Sequence, residues 1–139
     1  MKKLFTLILV FITASASAEW LKIESKAKGP PETFIDTETI RQTGPMNTMR
    51  RVWELRHLAE RTSDKTLSIK TQVEYDCRDR RIRILEESSF TEYWAQGEKL
   101  VSTVHDSQLA KWNAIGKLSV SKTIFKRVCP HDESDMKAR

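Results

Sequence analysis

Three histidines, two cysteines and the adjacent carboxylates Glu86 and Glu87 are the first candidates for covalent or acid–base chemistry. His57, His105 and His131 all stand outside any Gly-x-Ser-x-Gly or comparable turn that would set a nucleophile beside a histidine base. Cys129-Pro130-His131 together with Cys77 could be drawn as soft metal ligands. No second short-spaced pair such as Cys-x2-Cys accompanies them, so no metal is expected. Glu86 and Glu87 are neighbours, and neighbours on a strand point to opposite faces, which prevents them from acting jointly as acid and base. No catalytic residue and no cofactor is expected; the chain reads as a non-enzyme.

What remains is binding. Arg78, Arg80, Arg81 and Arg83 crowd one short stretch and could meet an anion, although Glu74 and Asp76 stand ready as cross-strand partners for two of them. Tyr93 and Trp94 sit beside a turn and suit contact with a protein, whereas Trp53 and Trp112 read as core. These four arginines and two aromatics form the candidate partner-binding surface.

The arginines must be positioned by the stretch Gln72 to Leu85, QVEYDCRDRRIRIL. Val73, Tyr75 and Cys77 alternate with Glu74 and Asp76; beyond a polar turn, Ile82 and Ile84 alternate with Arg81 and Arg83. Period-2 alternation on both sides of a short break predicts a β-hairpin. Val73 then faces Ile84 and Tyr75 faces Ile82 on an inner row, while Glu74 faces Arg83 and Asp76 faces Arg81 on an outer, solvated row. Opposite charges directly across a ladder add roughly 0.2–1 kcal/mol each, so the outer row favours the register that the inner row needs. Leu85 falls on the outer row by the same count.

The chain opens with Lys2 and Lys3, an apolar run from Leu4 to Ile12, and Ala16-Ser17-Ala18 before Glu19. Those are the three parts of a secretory signal peptide in order, predicting a leader over residues 1–18. The apolar run is well short of the roughly 20 residues a membrane span needs, and no cysteine near the cleavage site could take a lipid. Export gives an oxidising setting, in which Cys77 and Cys129 are expected to be joined, closing a loop of roughly 50 residues and adding about 4 kcal/mol in the loop-entropy account. Basic and acidic residues number 24 and 19 and are interspersed, so nucleic acid is not an expected ligand; acidic glycans, anionic headgroups and proteins stay open. The oligomeric state is not readable.

Residues 19–130 are then one domain. Trp20 to Ser25 suits a first strand and Thr33 to Asp36 a short second one, with a possible helical turn over Thr37 to Thr43. Met46 to Glu60 fits both a helical and a strand face, and propensity leans to helix. Leu67 to Tyr75, Arg80 towards Trp94 (bent at Ser88-Ser89) and Lys99 to His105 read as strands; Asp106 to Gly116 is irregular, anchored by Trp112. In Lys117 to Cys129 the period changes: Val120, Ile124 and Val128 are four apart, as are Phe125 and Cys129, predicting an amphipathic helix capped by Ser119 and stopped by Pro130. Residues 131–139 form a polar tail, expected to be disordered.

Several of these pieces, in this order, resemble the surface-adhesin protein E family of Gram-negative exported proteins. They are Phe34-Ile35-Asp36 with Thr39-Ile40-Arg41, Val52-Trp53, Ser68 and Lys70, Glu74-Tyr75-Asp76-Cys77 with Arg80-Arg81, Gly97, Trp112 with Ile115, and Lys126-Arg127-Val128-Cys129. The resemblance implies an α+β fold: a single antiparallel β-sheet of about six strands, with a C-terminal α-helix packed on one face and tied to it by a disulfide. It also implies that Met46 to Leu58 is a strand, against propensity. In function it implies adhesion to a protein or acidic-glycan partner at the cell surface. The other reading is a soluble periplasmic structural or assembly factor.

Overall fold

A computed structural model describes residues 18–24, 31–116 and 120–129. Most of the leader, Ser119, Pro130 and the tail at 131–139 lie outside the described residues. Six antiparallel strands follow one another in space as they do in sequence: β1 (Trp20–Ile23), β2 (Glu32–Thr43), β3 (Met49–His57), β4 (Ser68–Asp76), β5 (Arg81–Phe90) and β6 (Lys99–Val104). A two-residue strand, β7 (Asn113–Ala114), pairs with β5 beyond the end of β6. One helix, α1 (Val120–Val128), closes the described chain and packs on the sheet, as the helical period requires.

The hairpin register is the one that the paired rows demand: Val73 faces Ile84, Glu74 faces Arg83, Tyr75 faces Ile82 and Asp76 faces Arg81. On one face Ile23, Ile35, Val52, Val73 and Tyr75 meet Ile124, Phe125, Val128 and Cys129 of the helix end. Cys77 and Cys129 are bonded there, with Cα atoms 5.5 Å apart and a sequence separation of 52. The bond ties the end of α1 to the chain leaving β4.

Three sequence expectations give way to the fold. Met49–His57 is a central strand, as the family resemblance implies and against the helical lean of propensity, preceded by a 3-10 turn at Pro45–Asn47. Val52 and Leu55 are both fully buried, but they occupy opposite faces; a strand covered on both sides shows a three-residue spacing that imitates a helix. The second strand runs on through Thr43 instead of turning into helix. Its register shifts between Asp36 and Arg41, where Asp36 Oδ1 accepts the Glu38 N–H and the Thr39 hydroxyl donates to the Asp36 carbonyl. The turn chemistry at Thr37–Thr39 makes a bulge, not a helical turn.

The third correction is larger. The outer row is not solvated. Glu74 is 1% and Asp76 2% exposed, because Asp106 to Trp112 folds back over this face and Arg83 Nη1 donates to the Ser107 carbonyl. Glu74 accepts from Arg83 Nε at 2.8 Å, Thr43 Oγ1 at 2.8 Å and Arg51 Nη2 at 3.0 Å. Burial alone would raise its pKa, but these three donors outweigh it and hold the carboxyl below the usual range. Leu85 is the extra residue of a bulge, since the register shifts between Gln72 and Val73; it stays on the row counted for it, and that row is covered, leaving Leu85 5% exposed. Against β6 the register of β5 shifts between Ser89 and Phe90, beside the bend expected at Ser88–Ser89, and against β4 it shifts at Leu85.

Leu85→Lys is therefore expected to cost at least about 3 kcal/mol in urea unfolding, where a solvent-facing leucine would cost almost nothing. Cys129→Ser should remove about 4 kcal/mol and lower the melting midpoint, an effect that reducing agent reproduces in the wild type. Arg83→Ala leaves a buried carboxylate short of a partner and should cost about 3 kcal/mol. Because the Glu74 pKa is depressed in the folded state, its contribution is present above the unfolded carboxylate value and lost as pH falls through the folded one. Glu74→Gln should flatten the acid limb of a stability–pH profile.

Candidate functional site

The arginines emerge from the turn joining β4 to β5, but two of the four are committed within the fold. Arg81 Nε donates to Asp76 Oδ2 at 3.0 Å, and its guanidinium lies 4.6 Å from the centre of the Trp112 ring. Arg83 is bound to Glu74 and lies 4.3 Å from the same ring. Trp112 is thus half-buried under two cations and stands outside the apolar core. Arg80 takes φ 53° in the turn and covers Phe125 at 5.0 Å, while Arg78 reaches only Asp79. Arg78 and Arg80 are exposed; Arg81 and Arg83 act mainly as clamps on the buried carboxylates.

Tyr93 and Trp94 lie in a 3-10 turn, Tyr93–Ala95, after β5. They remain 38% and 46% exposed, although the backbone beneath them is fixed at several points. The Trp94 N–H donates to His57 Nε2 at 3.1 Å, the Ala95 N–H donates to Ser68 Oγ at 3.2 Å, and Ser68 Oγ donates to the Glu92 carbonyl. Tyr93 Oη donates to the Leu58 carbonyl at 3.1 Å. The Trp94 ring meets Phe34 at 4.8 Å and His57 edge-on at 4.5 Å, and His57 also meets Tyr93 at 4.7 Å. Trp94 and Ala95 take φ 62° and 55°, a left-handed geometry costing about 1 kcal/mol for a residue with a Cβ. The strain persists because the hydrogen bonds below over-determine the turn.

For His57 to accept from Trp94 its Nε2 must be unprotonated, and burial helps by lowering the imidazole pKa, while the charge of Glu32 works weakly against it. Gly97 completes the loop at φ 73°; a Cβ there would stand 2.4 Å from Thr91 Oγ1.

Sequence reasoning singled out Tyr93 and Trp94 and missed the residues that hold them: Phe34, His57 and Ser68. His57 and Ser68 are cross-strand partners on β3 and β4, a relation visible only once the strands are paired. The two halves of the candidate surface do not meet. The aromatic turn stands at the Ser68 end of β4 and the exposed arginines at the Asp76 end, roughly 26 Å apart at the usual rise of a strand. Among the described residues no three histidine, cysteine or carboxylate side chains gather as a metal set.

Two crystal structures of protein E from Haemophilus influenzae share this fold. Crystal form II has 13% identity and a TM-score of 0.53, covering 70% of this chain and 79% of that one. Protein E from the non-typeable organism also has 13% identity and a TM-score of 0.53, covering 84% of this chain and 79% of that one. No curated protein matches the chain. At such identity the likeness speaks for the sheet, the helix and their order alone. The sequence profile of surface-adhesin protein E, in contrast, matches residues 20–130, from the first strand to just past the second cysteine. With that match added to the meander and its disulfide-tied helix, the chain belongs to the surface-adhesin protein E family.

Proposed function

We propose that the protein is an exported, non-enzymatic binding domain of the bacterial cell envelope that engages a protein partner through the Tyr93–Trp94 turn. Family membership supports an adhesin-type role at the surface, and the disulfide fits an oxidising, exported setting. The observation that carries the reading is the exposed Trp94 on a backbone locked by His57 and Ser68. A large ring already held in place loses little entropy on binding, which is what makes aromatic side chains strong anchors at interfaces. The exposed aromatic pair favours protein over acidic glycan, since Arg81 and Arg83 have their charges matched inside the fold.

The reading is tested with the oxidised domain on cultured epithelial cells and immobilised matrix proteins. Trp94→Ala should weaken binding by about 2 kcal/mol with little change in the melting midpoint. Arg78→Ala with Arg80→Ala should have little effect. Binding that instead disappears at high salt and survives Trp94→Ala would point to an acidic glycan met by the arginines. Protease added to intact cells should digest the protein; full protection, with release on osmotic shock, would favour the periplasmic assembly role.

A further inference from the structure

The helix-bearing face holds a feature that the adhesin reading does not use. A cavity of about 290 Å³ opens between the strands and the first turn of α1, lined by Thr33, Glu54, Arg56, Val73, Ile84 and Val120 among others. Binding sites for drug-sized molecules run to roughly 300–1,000 Å³, so this one suits a small group or a single side chain. Glu54 is set into its wall. Tyr75 Oη donates to Glu54 Oε1 at 2.5 Å, and Ser121 of α1 stands beside the phenol. Phe125 of the helix packs against the tyrosine ring, and the tyrosine orients the carboxyl group. Among the described residues no donor reaches Glu54 Oε2, and Arg56, although it lines the same cavity, forms no ion pair with it.

We propose that this cavity binds an ammonium group on an aliphatic stem, with Glu54 Oε2 receiving the cation and Val73, Ile84 and Val120 lining the stem. An ammonium needs single acceptors, whereas a guanidinium is matched by two carboxylate oxygens, one of which Tyr75 already occupies. Glu87 of β5, also in the lining, adds a second negative group, and Arg56 of β3 is the one cation in the lining, exposed to solvent. Tyr75 of β4 stays neutral, its pKa raised by burial and by the carboxyl beside it. The lining residues of β2 and α1, Thr33, Val120 and Ser121, carry no titrating group. Burial raises the Glu54 pKa to about 7, against the lowering effects of the Tyr75 hydrogen bond and the Arg56 charge. A carboxylate ionised at such a cost is one that a bound cation stabilises, so affinity rises with pH through neutrality. The ammonium can come from a lysine of a bound protein or from a free alkylamine; only the first source rests on the adhesin reading.

The test is a titration of the oxidised domain with n-butylammonium chloride, followed by backbone amide shifts, beside 1-butanol and Nα-acetyl-lysine methylamide. Saturable shifts centred on Thr71, Val73 and Ile84 are expected, roughly tenfold tighter at about pH 8 than at about pH 5.5, with 1-butanol giving none. Glu54→Gln keeps an acceptor for Tyr75 and should weaken butylammonium roughly tenfold or more. Ile84→Trp, at a 39% exposed rim position, should do the same by filling the cavity and does not depend on the Glu54 variant folding. Binding of the lysine amide as well would identify a protein side chain as an admissible source; binding of butylammonium alone would identify a free amine. A wild type without cavity shifts, a Glu54→Gln variant that binds equally, or equal binding of 1-butanol would overturn the site. Because Trp94→Ala tests the other face, a blank here leaves the adhesin reading standing.

Discussion

A meander of six strands has two faces to cover and, among the described residues, one helix to cover them with. The Cys77–Cys129 bond settles the first face by fixing the end of α1 where β4 ends, at a Cα distance of 5.5 Å. A nine-residue helix has little stability of its own in water. Its place depends on Ile124, Phe125 and Val128, each at most 5% exposed, and on the covalent link that removes much of the unfolded chain's freedom. With α1 in place, Tyr75 is sealed against Phe125 and can hold Glu54, and Arg80 gains a ring to lie on.

The Asp76 end of the second face is covered largely by charge. Glu74 sits among Arg51, Arg83 and Thr43, Asp76 takes Arg81, and Trp112 is pressed beneath the two arginines of β5. Such a network is costly to desolvate, and what it supplies is register: a one-residue slip of β5 would take Arg83 from Glu74 and Arg81 from Asp76. The cluster that looked like an anion-binding surface is in large part this internal clamp. The aromatic turn at the far end of the same face is different, because its backbone is held while its rings stay in contact with water.

The candidate surface was only partly legible for the same reason that the fold was mostly legible. Alternation in Val73–Ile84 is local, and it identified the hairpin, its register and the row of paired charges. Whether that row faces solvent depends on where residues 106–112 lie, and they are brought over it by Arg83, Ser107 and Trp112, contacts spanning more than twenty residues. His57 gave no motif, since its role needs β3 and β4 side by side and Trp94 delivered from the loop after β5.

The order of residues alone determined the hairpin, the C-terminal helix, the partnership of the two cysteines and the likeness to one family, because each depends on neighbours along the chain or on their count. Only the tertiary structure decided that Leu85 and Glu74 are buried and that Glu54 faces a cavity. Burial on a two-sided sheet is a property of what is laid over it, and what is laid over it comes from far away in the chain.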